Sequence, residues 1–566
     1  MNDLVIRNAR IIDGTGKPGF IGDLAIAQGK IAGVGGKAGP GRREIDASGL
    51  LMTPGWVDIH THYDGQVAWD PYLSPSSWHG VTTLVMGNCG VGFAPVERGK
   101  EAFLISMMDG VEDIPTETLT AGINFEWESF GEYLYALSGM KRVLDVGTHV
   151  PHCAVRAYVM GERGAENQAA TPADIARMAA VVRDGLKAGA LGVSTSRTLV
   201  HRTRDKAFVP GTFAALDEVL ALGRALGEAG HGVFEIITDV TGDDANLEWM
   251  GRLSMETGRP ISLAALISRR SGMKMRQVLE YIERSNAHGA RMVAQVGARP
   301  AGSLMSLQSS IHPFSTHRSF RQLMAGLSHE ERVTRMRDPQ VRAQILNDSP
   351  AVKDEQTLAM VAGFQHQFSL GDPPDYEPTA DSSILERAKR LQRTPQEVAY
   401  DTLLERDGRE IIYMPLAYRT YSFDAILPQL TNPNTIMSLS DGGAHCGLIC
   451  DASMPTYMLT HWVRDRSRGE RLPLEFAVKR QTHDTAQLYG MLDRGTLALG
   501  MKADINLIDF DRLQLHPPEM VFDLPADGRR FVQRADGYKF TIVSGEVTFE
   551  DGQPTGAMPG QVVRGS

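Results

Sequence analysis

Eight short apolar runs, rich in β-branched residues, constrain the fold of this chain more than any other feature of its sequence. They alternate with amphipathic stretches of helical length, as buried parallel strands do when helices cover their sheet. The runs are 57–62, 81–88, 143–149, 190–195, 232–238, 261–267, 290–296 and 435–441. Eight such units predict an α/β fold, a (β/α)8 TIM-like barrel with its active site at the carboxyl ends of the strands.

The segments that flank these runs have a different pattern. Short alternating runs broken by Asp-Gly, Gly-Gly and Ser-Gly pairs occur near both ends of the chain, and they are typical of β-hairpins. We therefore expect residues 1–53 and 490–566 to form one composite β-rich, β-sandwich-like domain around a barrel of residues 54–489. The stretch at about 301–430 is too long for one strand-to-helix connection, so it predicts a lid or insertion.

Composition and charge narrow the classes of partner. The formal net charge is -10 and no block of lysine or arginine stands out, so we expect a small-molecule substrate and neither a nucleic acid nor a membrane surface. The first residues lack a charged leader before a long apolar core, and no run of about 18 apolar residues occurs, which predicts a cytoplasmic protein. Four cysteines in 566 residues are too few for a disulfide framework.

The first run ends in two histidines, His60 and His62, separated by one residue. In a strand this spacing places both imidazoles on the same side, where they could reach a single cation. Neutral imidazole is a common zinc ligand. The pair could also have arisen by chance, or one of the two could be a hydrogen-bonded core residue.

Two further residues at strand ends could complete such a site. Asp441 follows the last apolar run and precedes two glycines, so its carboxylate could take a proton from metal-activated water and deliver it to a leaving amine. It could instead be a turn aspartate that caps the next helix. Cys89 lies between Asn88 and Gly90 and could bind zinc as a thiolate, be a small buried hydrophobic residue or, with less support, act as a nucleophile.

Other polar residues follow the predicted strands and would share the same face. Each histidine among them could contact a substrate or be structural. Arg197 could hold a substrate carboxylate or only solvate a loop. They are His149 and His152 after strand three, Ser194, Thr195, Ser196, Arg197 and His201 at strand four, Glu235 and Asp239 in strand five, Ser268 and Arg269 after strand six, Gln295 in strand seven, and His445 after strand eight.

Several motifs together resemble the amidohydrolase superfamily and, within it, the N-acyl-D-amino-acid deacylase (D-aminoacylase) group. They are LVIRNARIIDGTG, PGWVDIHTHYDG, GVTTLVMGNCGVGFAP, GALGVSTS, SDGGAH and GTLALGMKADINLIDFD, and they span nearly the whole chain. The resemblance implies a zinc-dependent hydrolase that acts on carbon-nitrogen bonds other than peptide bonds. It also implies that His60 and His62 are the ligands from strand one, Cys89 the cysteine ligand and Asp441 the catalytic acid/base.

The chain departs from the pattern of that family at two strand ends. The family has a histidine at the end of strand five and another at the end of strand six, whereas those places contain Glu235 to Asp239 and Ser268 with Arg269. Strand four offers no lysine that could bridge two metals. We therefore expect a divergent branch with one metal ion held by His60, His62 and Asp441, or a site that is completed by other residues. These are Cys89, His445, His149 and Glu235.

The sequence leads to one main hypothesis for function and leaves two others open. The main one is a metal-dependent amidohydrolase of an N-acyl (D-)amino acid or related linear amide, with one or two zinc ions or another divalent metal. The first alternative is hydrolysis of a hydantoin-like cyclic amide or a lactone at the same site. The second is a non-catalytic assembly protein on an amidohydrolase scaffold. We also expect a homo-oligomer.

Overall fold

Eight strands that run parallel to one another form the centre of the molecule. The computed structural model describes residues 1–239, 245–266, 275–438 and 440–566. In chain order the strands are Trp56–Asp58 (strand one), Val81–Met86 (two), Asp145–Thr148 continued by Val150–Pro151 (three), Gly192–Arg197 (four), Val233–Asp239 (five), Ile261–Leu266 (six), Met292–Val296 (seven) and Thr435–Met437 (eight). Each overlaps one of the eight predicted runs, and the α/β class is confirmed. The predicted candidates Ser268 and Arg269 lie outside the described residues.

The order of the strands in the sheet is their order in the chain. Each of the first seven strands pairs in parallel with the strand that follows it in the chain. Strand three is interrupted at His149, whose N–H donates to the carbonyl of Met86. Beyond the ends of strands one and eight, Thr61 forms a parallel bridge with Gly442. The loops that follow the first and the last strand therefore lie side by side.

The connecting helices follow from local sequence signals, as the segment between strands three and four illustrates. Its helix Pro172–Ala188 begins with a capping box between Thr171 and Asp174, has proline at its first turn and ends at Gly189 with a positive φ of 112°. Met178, Val182 and Leu186 form its buried stripe. Other helices between the parallel strands are Glu101–Glu112, Thr116–Gly122, Phe130–Gly139, His152–Met160, Glu162–Ala165, Leu216–Ala229, Ala245–Thr257 and Met275–Ala287.

Both ends of the chain contribute to one nine-stranded sheet. The two halves meet where Leu51–Pro54 pairs antiparallel with Ile505–Ile508. The amino-terminal strands are Asn2–Ile11, Phe20–Ala27, Lys30–Val34, Gly41–Asp46 and Leu51–Pro54, and the carboxy-terminal ones are Ile505–Ile508, Tyr538–Val543, Glu546–Glu550 and Gln553–Pro554. The domain boundaries at residues 53 and 490, and a sandwich-like form, stay predictions.

The long segment between strands seven and eight has a core of its own. Gly302–Met305, Phe368–Ser369 and Ile412–Pro415 form a small antiparallel sheet. Helices Arg318–Met324, His329–Met336, Pro339–Leu346, Glu355–Ala362, Ile384–Leu391 and Pro395–Gly408 surround it. Met305, Phe314 and Leu403 are among the residues of this separate hydrophobic cluster. The segment, called the insertion below, corresponds to the stretch predicted at about 301–430, and its role as a lid stays a prediction.

Part of the carboxy-terminal region packs on the body of parallel strands. Strands Glu519–Leu524 and Gly528–Val532 form an antiparallel pair, called the carboxy-terminal hairpin below. Its Phe531 N–H donates to the carbonyl of Cys446 at 2.7 Å, in the loop after strand eight. Within the part of the chain that the structure describes, no helix combines the length and apolar character needed to cross a membrane.

His79 connects this carboxy-terminal region to the segment before strand two. Its Nε2 lies 2.9 Å from the carbonyl oxygen of Gln533, which can only accept, so Nε2 carries the proton of the neutral ring. Nδ1 then accepts from the Thr456 hydroxyl at 2.9 Å. Burial of the ring lowers the pKa of His79 to about 4.

This depressed pKa predicts a loss of stability in acid. Between pH 6.5 and pH 4 the unfolded chain binds a proton at residue 79 that the folded chain does not, so the free energy of unfolding falls as the pH falls through this window. The loss amounts to at most about 3 kcal/mol. We expect the melting temperature of His79→Gln to fall less between pH 6.5 and pH 4.5 than that of the wild type. The exposed His288→Gln variant serves as control and should keep the wild-type dependence; a His79→Gln profile parallel to the wild type would contradict this prediction.

Candidate metal centre

The two histidines after strand one are buried and held in a defined orientation. His60 Nδ1 lies 2.7 Å from the amide oxygen of Gln295 in strand seven, so Nδ1 carries the ring proton and Nε2 keeps its lone pair. The amide nitrogen of Gln295 donates in turn to Ser262 Oγ in strand six, at 2.9 Å. This chain of bonds fixes the tautomer in which His60 can serve as a metal ligand.

A thiol and a carboxylate converge on the free nitrogen of His60. Cys89 Sγ lies 3.3 Å and Asp441 Oδ1 3.4 Å from His60 Nε2. Asp441 Oδ1 is also 3.8 Å from His62 Nε2. Potential ligand atoms of His60, His62 and Cys89 all lie within 4.8 Å of one another. Residues from three distant parts of the sequence thus surround one small volume.

A sharp backbone turn after strand two presents Cys89 to this volume. Cys89 has a positive φ of 55°, an uncommon conformation for a residue with a side chain. Gly90 follows it with a φ of 72°, and a Cβ there would lie only 2.8 Å from the backbone nitrogen of Ser196. The Cys89 N–H donates to Glu235 Oε2 at 2.9 Å, which holds the turn in place from strand five.

Acidic side chains without a basic partner surround the histidines. Burial raises the pKa of Glu235 to about 8, with a further contribution from the Asp441 carboxylate. Burial also raises the pKa of Glu112 and of the Cys89 thiol well above their ordinary values. Among the described residues, no lysine or arginine nitrogen lies within 4 Å of Glu112, Glu235 or Asp441. A bound cation would supply the missing positive charge.

The donor set agrees with a divalent metal of borderline softness. Burial lowers the pKa of both His60 and His62, so both rings are neutral and able to coordinate. Two imidazoles with a thiol and a carboxylate are ligands that zinc accepts. Glu235 Oε1 is buried and has no hydrogen-bond partner among the described residues, and a cation in this volume would satisfy it. The residues present therefore fit a metal ion.

His445, predicted as a further metal ligand, lies beside the cluster of His60, His62 and Cys89 and is not part of it. Its Nε2 is 3.6 Å from Glu112 Oε2, and the other oxygen of Glu112 is 3.5 Å from His62 Nδ1. Glu112 thus stands between His445 and His62.

The predicted substrate contacts divide into two groups. The ring nitrogens of His152 are both engaged, with Thr195 Oγ1 at 2.8 Å and Glu218 Oε1 at 2.9 Å, so they have no vacancy for a substrate. Arg197 donates through Nη1 to the carbonyl of Ala214 at 2.7 Å, and this bond uses one of its five N–H donors. The placement of His152 favours a structural role.

The other three lie closer to the histidine pair. His149 is buried, and neither of its ring nitrogens has a hydrogen-bond partner in the described part of the chain. Burial, with His60 nearby, lowers the pKa of His149 to about 3. His201 Nδ1 is 3.1 Å from Ser196 Oγ, and burial with His445 and His60 nearby lowers its pKa to about 3. His149, Ser196 and His201 therefore remain candidates for substrate contacts.

Glu112 is the residue of the site that the sequence patterns missed. It ends the helix Glu101–Glu112, and Asp113 follows with a positive φ of 52°. A carboxylate in the last turn of a helix opposes the helix dipole, so a buried acid there needs a partner elsewhere. That unfavourable position was the one available signal. Its contacts with His62 and His445 depend on the docking of the helix, which sequence periodicity does not specify.

Comparison with known proteins places this site in a family context. The profile of the amidohydrolase family matches residues 43–549. A D-aminoacylase of Alcaligenes xylosoxydans xylosoxydans is 25% identical over 99% of this chain and 97% of its own length. One solved structure concerns the binuclear metal centre of a D-aminoacylase, with one-metal activation and second-metal attenuation. That D-aminoacylase is 23% identical to this chain with a TM-score of 0.64, and the match covers 100% of both chains.

A second solved structure is the N-acyl-D-glutamate deacylase of Bordetella bronchiseptica in complex with zinc and a phosphonate that mimics the tetrahedral intermediate. It is 22% identical with a TM-score of 0.65, over 100% of this chain and 99% of that one. At these identities the two structural likenesses establish a shared fold.

The hydrogen bond between His60 and Gln295 yields a test of the metal centre. We expect Gln295→Leu to lower the affinity for zinc by roughly ten- to hundredfold, because His60 loses the acceptor that fixes its tautomer. Gln295→Glu keeps an acceptor and should stay closer to the wild type. Competition with a chromophoric chelator measures both affinities, and an unchanged affinity in Gln295→Leu would show that this bond does not prepare His60.

Proposed function

Since the chain belongs to the amidohydrolase family, we propose that it is a metal-dependent hydrolase of an N-acyl (D-)amino acid or a related linear amide. The family assignment makes it an enzyme that acts on carbon-nitrogen bonds other than peptide bonds. The observation that carries the finer proposal is the convergence of Cys89 Sγ and Asp441 Oδ1 on His60 Nε2, at 3.3 and 3.4 Å. These are the residues that the resemblance in sequence assigned to metal binding and acid/base catalysis.

His60, His62 and Asp441 would hold a single divalent cation, zinc by preference, with Cys89 as an additional ligand. When bound, this cation would act as a Lewis acid that activates water and polarises the scissile carbonyl. Glu235, in place of the expected histidine of strand five, uses Oε2 to hold the Cys89 amide. This arrangement favours one metal ion, in agreement with the one-metal activation described for the D-aminoacylase structure.

Asp441 is the residue that we assign to proton transfer. Its side chain is 21% exposed, whereas the histidines that it faces are almost fully buried, so it borders the volume where a substrate would enter. The carboxylate would accept a proton from the attacking water and then donate it to the nitrogen of the leaving amine. Cys89 Sγ lies 3.3 Å from His60 Nε2 among buried carboxylates that disfavour a free thiolate, so a metal ligand suits this position better than a nucleophile.

The same proposal includes a closed (β/α)8 barrel. The bridge between Thr61 and Gly442 supports closure, because it joins the segments beyond the first and the last parallel strand. The structural likeness to D-aminoacylase supports it as well. His149, Ser196 and His201 are the substrate contacts that we propose; a homo-oligomeric state and a cytoplasmic location remain predictions from the sequence.

Two substitutions test the catalytic assignment. We expect the wild type to contain about one equivalent of metal, and His60→Ala to lose both metal and activity, because an imidazole ligand is removed. Asp441→Asn should lower kcat by at least about 10²-fold, since an amide cannot transfer the proton. Elemental analysis measures the metal content and an amide-hydrolysis assay measures kcat in each variant. Asp551→Asn, which alters an exposed aspartate, serves as the control. A metal-free and fully active Asp441→Asn enzyme would refute the proposal.

A panel of substrates separates the proposal from its alternatives. N-acyl-D-amino acids, their L-enantiomers, hydantoins and lactones are compared by kcat/KM with the metal-loaded enzyme. We expect linear N-acyl amino acids to be hydrolysed faster than either cyclic class. Faster turnover of hydantoins or lactones would favour the first alternative, and a metal-loaded enzyme that cleaves none of them would contradict the proposed substrate class.

A further inference from the structure

A cavity of about 250 Å³ lies between the insertion and the carboxy-terminal hairpin, and it shares no lining residue with the metal centre. Three arginines line it: Arg321 and Arg332 from the insertion and Arg529 from the hairpin. Its other lining residues include a buried histidine, His312, and no aspartate or glutamate. This cavity is called the arginine cavity below.

The arginines have donor groups to spare. Arg332 donates through Nη1 to the carbonyl of Leu307, while its buried Nε has no hydrogen-bond partner among the residues described. Arg529 makes one long contact, 3.5 Å from Nη2 to Ser310 Oγ. Arg321 donates through Nε to the carbonyl of Ser315 at 2.8 Å. Each guanidinium has five N–H donors, so most of their capacity remains for a ligand.

The histidine of the cavity adds a neutral donor. His312 Nδ1 accepts the N–H of Phe314 at 3.2 Å, which places the ring proton on Nε2. Burial, with Arg332 and His317 nearby, lowers the pKa of His312 to about 3, so the ring is neutral around pH 7. Its Nε2 therefore offers a donor to a ligand in the cavity without adding to the charge.

Positive charge in this cavity has no counterion within the described residues. None of the three arginines has a carboxylate oxygen within 4 Å in the part of the chain that the structure describes. Burial and the nearby Arg529 both disfavour the charge on Arg332 and lower its pKa. Two acids bonded to serines of the insertion have these donors as partners: Asp113 accepts from Ser310 Oγ, and Asp348 from Ser319. A bound anion would offset the repulsion between the guanidinium groups of Arg332 and Arg529, and it would also accept hydrogen bonds from their unused N–H groups.

We propose that the arginine cavity binds a small oxyanion, the carboxylate or phosphate group of a small molecule. Guanidinium groups match the geometry of both groups by paired hydrogen bonds, and a volume of about 250 Å³ admits a compact ligand. The ligand would bridge Arg332 of the insertion and Arg529 of the hairpin. Because Arg332 and Arg529 lie 197 positions apart in the chain, the bound anion would also connect the two segments.

Calorimetric titration of the full-length enzyme tests this site, with inorganic phosphate and succinate as separate probes. We expect at least one of them to bind with a Kd below about 1 mM. Arg332→Met and Arg529→Met should each weaken that binding by about tenfold or more, because each removes charge-assisted donors. Arg512→Met, which alters an exposed arginine outside the cavity, should bind as the wild type does.

The variants also separate this site from the metal centre. If phosphate bound at a metal ion, neither Arg332→Met nor Arg529→Met would change its affinity. Equal affinity in the wild type and all three variants would therefore overturn the proposal. Failure of both probes to bind the wild type would overturn it as well. Circular dichroism and melting temperature establish that each variant is folded. Should Arg332→Met melt early, Arg529→Met decides the question, because the Arg529 side chain hydrogen-bonds only to Ser310 among the residues that the structure describes. Binding of one probe alone identifies phosphate or carboxylate as the preferred group.

Discussion

The contact between the loops after strands one and eight is the constraint on which the site depends. The His62 N–H donates to the carbonyl of Gly442 at 2.8 Å, and Thr61 forms its bridge with the same residue. A Cβ at Gly443 would lie 2.8 Å from the carbonyl oxygen of His62, and its φ of 88° also favours glycine, so a side chain there would disturb this approach. The contact brings the imidazoles of His60 and His62 to a carboxylate that follows them by about 380 residues in the chain.

The charges at this site oppose folding unless a cation is present. Glu112 and Glu235 are both buried, and desolvation raises the pKa of each. An unpaired buried charge costs several kcal/mol, about as much as the net stability of many domains. The surrounding structure must therefore supply the stability that the site lacks. The apolar strands and the capped helices do so, and their residues are also the ones with the clearest sequence patterns.

This division explains what the sequence could and could not predict. Strand positions follow from runs of buried β-branched residues, and residues at strand ends share a face by geometry alone, so His60, Cys89 and Asp441 were found together. His152 illustrates the limit, because its pairing with Glu218 depends on how a helix docks onto strand four. Glu112 was missed for a related reason, since its neighbours lie in other segments and no periodic pattern marks them.

The position of Glu112 also connects the metal centre to the insertion. The adjacent residue, Asp113, accepts hydrogen bonds from Ser310 Oγ at 2.9 Å and from the Gly447 N–H at 3.2 Å. Ser310 belongs to the insertion, and Gly447 lies two residues after His445. Movement of the insertion would therefore displace Asp113, and with it the carboxylate that stands between His62 and His445. Because Ser310 also contacts Arg529, the insertion, the carboxy-terminal hairpin and the metal centre are joined through one serine and one aspartate.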